Sequence, residues 1–408
     1  MTESTESNLK FSVAPETFRT QLGRCSKVAS NDSKSGLRPI YGYVLLIAQH
    51  NMVTLRAHDP HVTFEGRFVP DTLDSDGEAL VECDRLMNIV KTRVEGYPID
   101  VWVDKEFLHL KQGEFRAKLP LLRKETIPEV SFKGPFKLEA QLEPKMLDGL
   151  TRCGKVIEEK ADTSYAGLLL DFEVAGTFRI CGFSRALVHV AQFPIANTHQ
   201  FRVVLSPKVI PLLESLSRAN ETTIGIDTDS AKVVITSAEC SLRVACIEDG
   251  YPKGYMEFFG LHKMAESQYY LTKIDKDGRV EEENQRQFIR LNKNGFLDAM
   301  TSASSVLGKE DLAIELNVSK KLAEGQVVLE MVGLNRFSKA KAQEKILANS
   351  DITTVYQLGI HYGKVREALR DFESDTFTLW VGSAQDVFFM IEEERSDFVS
   401  IGIPLKVA

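Results

Sequence analysis

Apolar positions along this chain recur at helical spacing in a repeated order. Leu22-Gly23-Arg24-Cys25-Ser26-Lys27-Val28 returns as Leu150-Thr151-Arg152-Cys153-Gly154-Lys155-Val156, and again, with its charges lost, as Met300-Thr301-Ser302-Ala303-Ser304-Ser305-Val306. Phe18, Met146 and Phe296 stand four residues ahead of the leading Leu or Met, and Leu147-Asp148 matches Leu297-Asp298. A second helical pattern alternates with the first: Arg85-Leu86-Met87-Asn88-Ile89-Val90, Lys208-Val209-Ile210-Pro211-Leu212-Leu213 and Lys364-Val365-Arg366-Glu367-Ala368-Leu369. Self-similarity at long period marks duplicated modules, so the chain reads as six units in three pairs.

Each helix follows a short run of strand character: 9–13, 79–83, 136–142, 201–205, 288–291 and 353–358. Between helices lie β-branched and aromatic runs punctuated by Gly, Asp and Asn, which predict strands joined by turns. The expected fold class is α+β: three tandem domains, each with two helices on antiparallel sheets. Expected boundaries are 1–134, 135–259 and 287–408, with a charged linker or insertion at 260–286 that contains Glu281-Glu282-Glu283.

At about 100° per residue, Phe18, Leu22, Cys25, Val28 and Ala29 share one helical face, with Arg24 and Lys27 opposite. Met146, Leu150, Cys153, Val156 and Ile157 likewise turn Lys145, Arg152 and Lys155 outward. The third copy places Ser302 and Ser305 there instead. The six helical windows together carry +5 in a chain of −8, which leaves −13 elsewhere. Positive charge gathered on one kind of helix suits a phosphate backbone met by one surface, while ordinary solvated helix faces are the plainer reading.

The six cysteines form no CxxC pair and are expected to be free thiols of a reducing cytoplasm. No apolar run is long enough for a membrane span. GxxxxGK[ST], GxGxxG and HExxH are absent, and Gly182-Phe183-Ser184-Arg185-Ala186 lacks the last Gly of a nucleophile elbow. His58-Asp59-Pro60-His61 reads as a turn rather than a metal site. Neither an enzyme nor a cofactor is expected.

The three modules, the opening Leu9-Lys10-Phe11-Ser12-Val13, the stretch Phe115-Arg116-Ala117-Lys118-Leu119-Pro120, the turn Asp249-Gly250-Tyr251-Pro252 and the ending Ile403-Pro404-Leu405-Lys406 together resemble the bacterial sliding clamp family, the beta subunit of DNA polymerase III. The resemblance runs from about Leu9 to Lys406. It implies a head-to-tail homodimer, a ring of helices around double-stranded DNA, and a processivity factor that tethers a replicative polymerase and meets a clamp loader, in the cytoplasm at the nucleoid. A scaffold that binds proteins without encircling DNA is the alternative.

By this resemblance Arg19, Arg24, Lys27, Arg85, Lys91, Lys145, Arg152, Lys155, Lys208, Lys364 and Arg370 would face DNA. Tyr165, Phe183, Val188, Pro252, Met256, Ile401, Ile403, Pro404 and Leu405 would line a partner pocket. Phe115 and Ala117 of one chain would meet Val306 and Leu307 of the other. The chain departs from the family at Phe183-Ser184-Arg185-Ala186-Leu187-Val188, where Thr-Asp-Gly-His-Arg-Leu is usual, and Pro211 should bend the fourth helix.

Overall fold

The computed structural model describes residues 8–29, 39–122, 136–157, 167–184, 187–196, 199–216, 221–228, 231–247, 260–264, 268–274, 280–285, 287–308, 311–323, 325–350, 356–381, 389–393 and 398–402. Among the described residues six α-helices occupy the expected places: α1 Pro15–Ser26, α2 Cys83–Lys91, α3 Pro144–Lys155, α4 Ile210–Leu216, α5 Lys293–Ser304 and α6 Tyr362–Arg370. Pro15 opens α1, where its fixed φ suits the first turn and its missing N–H is not needed. The Asn292 side chain caps α5 by accepting the Gly295 N–H at 2.9 Å. Pro211 does not bend a helix interior as expected. The segment starts as a 3-10 turn over Pro207–Val209 and becomes α-helical only at Ile210, so Pro211 falls in the first α turn, where it is tolerated.

The chain forms two compact units, residues 1–151 with 195–247, and residues 152–194 with 248–408. In the first, one antiparallel sheet has strand order 72–75, 10–13, 99–103, 107–112, 115–120. Another runs 77–82, 43–49, 52–58, 62–68, 240–247, 232–236, 222–227, 138–142. In the second unit the order is 168–171, 177–183, 187–194, 398–402, 389–393, 376–381, 287–292, 341–350, 326–334, 313–323, 356–361. The division cuts the second of the three expected domains because sheets continue from one repeat into another. Residues 62–68 pair with 240–247, and 187–194 pair with 398–402.

The expected linker at 260–286 contains an antiparallel sheet of three strands, 260–264, 268–274 and 280–285. Its Tyr269-Tyr270-Leu271 run supplies β-forming residues that a count of charges overlooks.

The apolar helix faces lie where periodicity placed them. Phe18, Leu22 and Cys25 are 0% exposed, as are Leu150, Cys153, Met300 and Ala303. Phe18 meets Phe11 edge-on at 6.2 Å between ring centroids, and Phe296 meets Phe377 at 5.2 Å. Equivalent positions thus seed equivalent cores in the first and third repeats.

Candidate nucleic-acid and partner interfaces

The expected DNA-facing cations separate into two groups. Arg85, Lys91, Lys145 and Arg370 are exposed. Arg85 is 2.7 Å from Glu82, and Lys145 is 3.5 Å from Glu143. At such exposure these ion pairs exchange readily with water or phosphate. The others are held by protein atoms. Arg19 donates to the Arg93 carbonyl at 3.0 Å, and Lys208 to Asp59 at 2.8 Å. Arg24 donates to Gln21 Oε1 at 3.3 Å and the Ser215 carbonyl at 3.5 Å, and lies 3.5 Å from Glu239. Lys27 donates to the Pro211 carbonyl at 2.8 Å although it, like Lys155 and Lys208, is exposed. Lys155 reaches Asp371 at 3.0 Å and Lys364 reaches Glu367 at 3.8 Å.

Arg152 requires a correction. Helical periodicity turns it away from the apolar face, yet it is only 6% exposed. Its guanidinium bonds Glu393 at 2.7 Å and lies 3.6 Å from Glu373. The side of α3 opposite the sheet is covered at this turn, and a buried charge must be paired. Glu393, Glu373 and Asp371 are the site residues that sequence reasoning missed. They lie more than 200 residues from α3, and no periodicity links an arginine to a carboxylate at that distance.

The turn at 58–63 is built as expected. Asp59 Oδ1 accepts the His61 and Val62 N–H groups, each at 2.7 Å, and His58 Nδ1 pairs with Thr63 Oγ1 at 2.9 Å. Among the described residues no group of three His, Cys, Asp or Glu could hold a metal ion, and no helix is long and apolar enough to cross a membrane. None of the six cysteines is in a disulfide. Burial raises the Cys25 thiol well above its ordinary range and pushes that of Cys83 up to about 12.

Of the expected interface residues, Phe115 and Ala117 are half-buried on strand 115–120, which pairs only with 107–112 among the described residues. The Arg93 guanidinium covers the Phe115 ring at 3.4 Å from its centroid. Val306 and Leu307 are half-buried just beyond α5, where the Val306 carbonyl accepts from Asn335 at 3.0 Å. A second open edge lies at 341–350. Apart from Asn349 and Ser350, which pair with 289–290, its partner among the described residues is 326–334, and Leu347 on it is 66% exposed. The sequence did not mark that edge, because alternation does not tell an edge strand from a central one.

Of the expected pocket, Tyr165, Pro252, Met256, Ile403, Pro404 and Leu405 lie outside the described residues. Phe183 and Ile401 come together through Val188, which pairs with Phe183 in one register and Ile401 in the other. Val188 itself is 1% exposed, so its side chain serves the core rather than an open lining.

Residues 9–131 match the family model for the DNA polymerase III beta subunit, N-terminal domain. The chain is similar to the beta sliding clamp of Pseudomonas aeruginosa, with 26% identity over 220 residues, 52% of this chain and 59% of that protein. It is also similar to the beta sliding clamp of Treponema pallidum, with 34% identity over 82 residues, 20% of this chain and 21% of that protein. These alignments therefore span at most about three-fifths of the curated relatives. The fold extends further. The crystal structure of the DNA polymerase III subunit beta from Pseudomonas aeruginosa aligns with 98% of this chain and 100% of its own, with TM-score 0.77 and 18% identity. The Helicobacter pylori beta clamp bound to a DNA ligase peptide aligns over the same shares, with TM-score 0.76 and 17% identity.

Proposed function

We infer, from the premise that this chain is a divergent sliding clamp in its N-terminal domain and its fold, that it closes head to tail with a second copy into a ring around double-stranded DNA and serves as a processivity factor without chemistry of its own. One observation carries this reading. Sheets already continue from repeat to repeat at 62–68 with 240–247 and at 187–194 with 398–402, and among the described residues strand 115–120 and most of strand 341–350 keep an open edge. Two unlike edges on one chain are complementary to the same edges on another. Such a heterologous contact forms a ring when its rotation closes, and it pairs backbone groups that would otherwise invite aggregation.

Within that ring the exposed Arg85, Lys91, Lys145 and Arg370 are the cations for the phosphate backbone, a sequence-independent and salt-dependent contact. The three-domain division at 1–134, 135–259 and 287–408 belongs to the same proposal. A short extended peptide of a polymerase, clamp loader or ligase would dock beside Phe183 and Ile401, burying a few apolar anchors.

Sedimentation and DNA retention test the reading together. The protein should weigh two chains, stay on nicked circular DNA and leave it after linearisation. Leu347→Asp and Ala117→Asp should each yield a folded single chain that no longer stays on circles. A parent protein that is monomeric at micromolar concentration, or is held equally on linear DNA, overturns it.

A further inference from the structure

The repeated helix carries Arg and Lys three positions apart twice, and both pairs reach the second helix of the following repeat. Lys27 Nζ donates to the Pro211 carbonyl of α4 at 2.8 Å, and Arg24 Nη2 to the Ser215 carbonyl near the end of that helix at 3.5 Å. Lys155 Nζ lies 3.0 Å from Asp371, the residue that caps the C-terminus of α6. Arg152 holds one oxygen of Glu393 at 2.7 Å, and the other oxygen accepts the Glu373 and Ser374 N–H groups of the loop that follows α6. The two helical patterns set Ser215 in α4 and Asp371 at the end of α6 in register, so both pairs reach the same place on the partner helix, by way of Arg24 at the first junction and of Lys155 at the second.

We infer that the Arg/Lys pair is a strut that ties each repeat to the next within one chain, α1 to α4 and α3 to α6, and is not a phosphate contact. The electrostatics of the two helix ends support this. Carbonyls at a helix C-terminus carry negative partial charge, so a cation from α1 is favoured at the end of α4. At the end of α6 the cap is an aspartate, which the same partial charge disfavours, and the Lys155 ammonium offsets it. Arg152 is buried against a buried Glu393 and has no route to a phosphate.

The third copy separates the two roles. A phosphate contact would be wanted on all three repeats alike. A strut is needed only where the copy reaches the second helix of another repeat, as α1 reaches α4 and α3 reaches α6. The matching positions on α5 are Ser302 and Ser305, both exposed and uncharged. The inference rests on the clamp reading only in naming the role it displaces.

Amide hydrogen exchange of the DNA-free full chain, read helix by helix, tests the strut, with binding of a short duplex at low salt read in parallel. Lys155→Glu should speed exchange in α6 by about tenfold, the loss of one charge-assisted contact, and leave α4 unchanged. Adding Asp371→Lys should restore α6 protection without altering net charge. The swapped protein should bind duplex within about twofold of the parent, because no phosphate contact has been lost. Arg24→Met with Lys27→Met, at the more exposed junction, should speed α4 and leave α6 unchanged. Exchange in α6 that Lys155→Glu does not move, or that Asp371→Lys fails to restore, overturns the inference, as does a tenfold loss of duplex affinity in the swap. A parent protein without duplex affinity would defeat the clamp reading, while the exchange of α4 and α6 still decides the strut.

Discussion

At the junction of the first and second repeats, Ala57 faces Phe64 across neighbouring strands, Cys25 Sγ donates to the Leu55 carbonyl at 3.7 Å, and Arg24 and Lys27 end on backbone carbonyls. At the junction of the second and third, Gly182 faces His189, Cys153 Sγ donates to the Ile180 carbonyl at 3.4 Å, and Arg152 and Lys155 end on carboxylates. The frame is shared and the filling differs. At those places the first junction has an aromatic ring and partly exposed cations on carbonyls and on the exposed Glu239, while Glu65 on its joining strand is buried among Arg56, Arg67 and Arg243. The second buries an ion pair and an imidazole at the matching places. Buried charge adds little net stability when intact and costs much when half of it is removed, so the second junction should be the more fragile to single substitutions.

The largest expected contrast is between the two arginines. Arg152→Met strands the carboxylate of Glu393, whose side chain is 4% exposed, and should cost about 3–5 kcal/mol. Arg24→Met removes a contact to Glu239, which is 66% exposed, and two long hydrogen bonds, and should cost about 1 kcal/mol or less. Urea denaturation of both variants checks the ratio. Arg152→Met combined with Glu393→Gln should recover much of the loss, because the stranded charge is gone. Equal costs for the two arginine variants would show the junctions to be energetically alike.

Acid should act next most strongly, and on the second unit. Burial pushes the His189 pKa down to about 4, against the weaker opposing pull of its contact with the Arg152 carbonyl. Its neutral Nδ1–H donates to that carbonyl at 3.1 Å. The unfolded chain binds this proton near the ordinary histidine value and the folded chain does not, so stability is full above about pH 6.5 and declines as pH falls towards 4. The loss is on the order of 3 kcal/mol. His58 in the first unit is also lowered by burial, yet it is only half-buried. His189→Phe, which copies Phe64 of the first repeat, should flatten stability between pH 6.5 and 4 in the second unit. An unchanged slope would place the acid sensitivity elsewhere.

This contrast also shows how far the sequence could be read. The helix faces were legible because a period of 3.6 needs only local spacing, and Leu22, Leu150 and Met300 are buried as that spacing requires. The joins between repeats were not, because alternation in 62–68 or 187–194 names a buried face but no partner strand. The tasks of Arg24, Lys27, Arg152 and Lys155 were hidden for a related reason. An outward helical position specifies only that it faces away from its own sheet, and here the next element of the same chain fills that space. Of the expected pocket, Phe183, Val188 and Ile401 are the described residues, and neighbouring strands bring them together.

The smallest expected effect bears on how closely each helix lies on its sheet. A Cβ on Gly182 would stand 1.7 Å from the Cys153 carbonyl oxygen and 2.6 Å from its carbon, and one on Gly333 would stand 1.8 Å from the Ala303 carbonyl oxygen. These neighbours are backbone and cannot rotate aside. In the first repeat the matching place holds Ala57, 1% exposed, so α1 already accommodates the methyl group that α3 and α5 exclude. Gly182→Ala should therefore lift the end of α3 and cost about 1–3 kcal/mol by overpacking, whereas Ala57→Gly should cost about 0.5–1 kcal/mol, chiefly through backbone entropy. The Cys153 thiol reports the movement directly. It is fully buried against the Ile180 carbonyl in the parent and should react faster with a thiol reagent in Gly182→Ala, while Cys25 keeps its protection. Unaltered Cys153 protection together with a cost below about 0.5 kcal/mol would mean that α3 shifts freely, and that the close approach at Gly182 is not what sets this junction apart from the first.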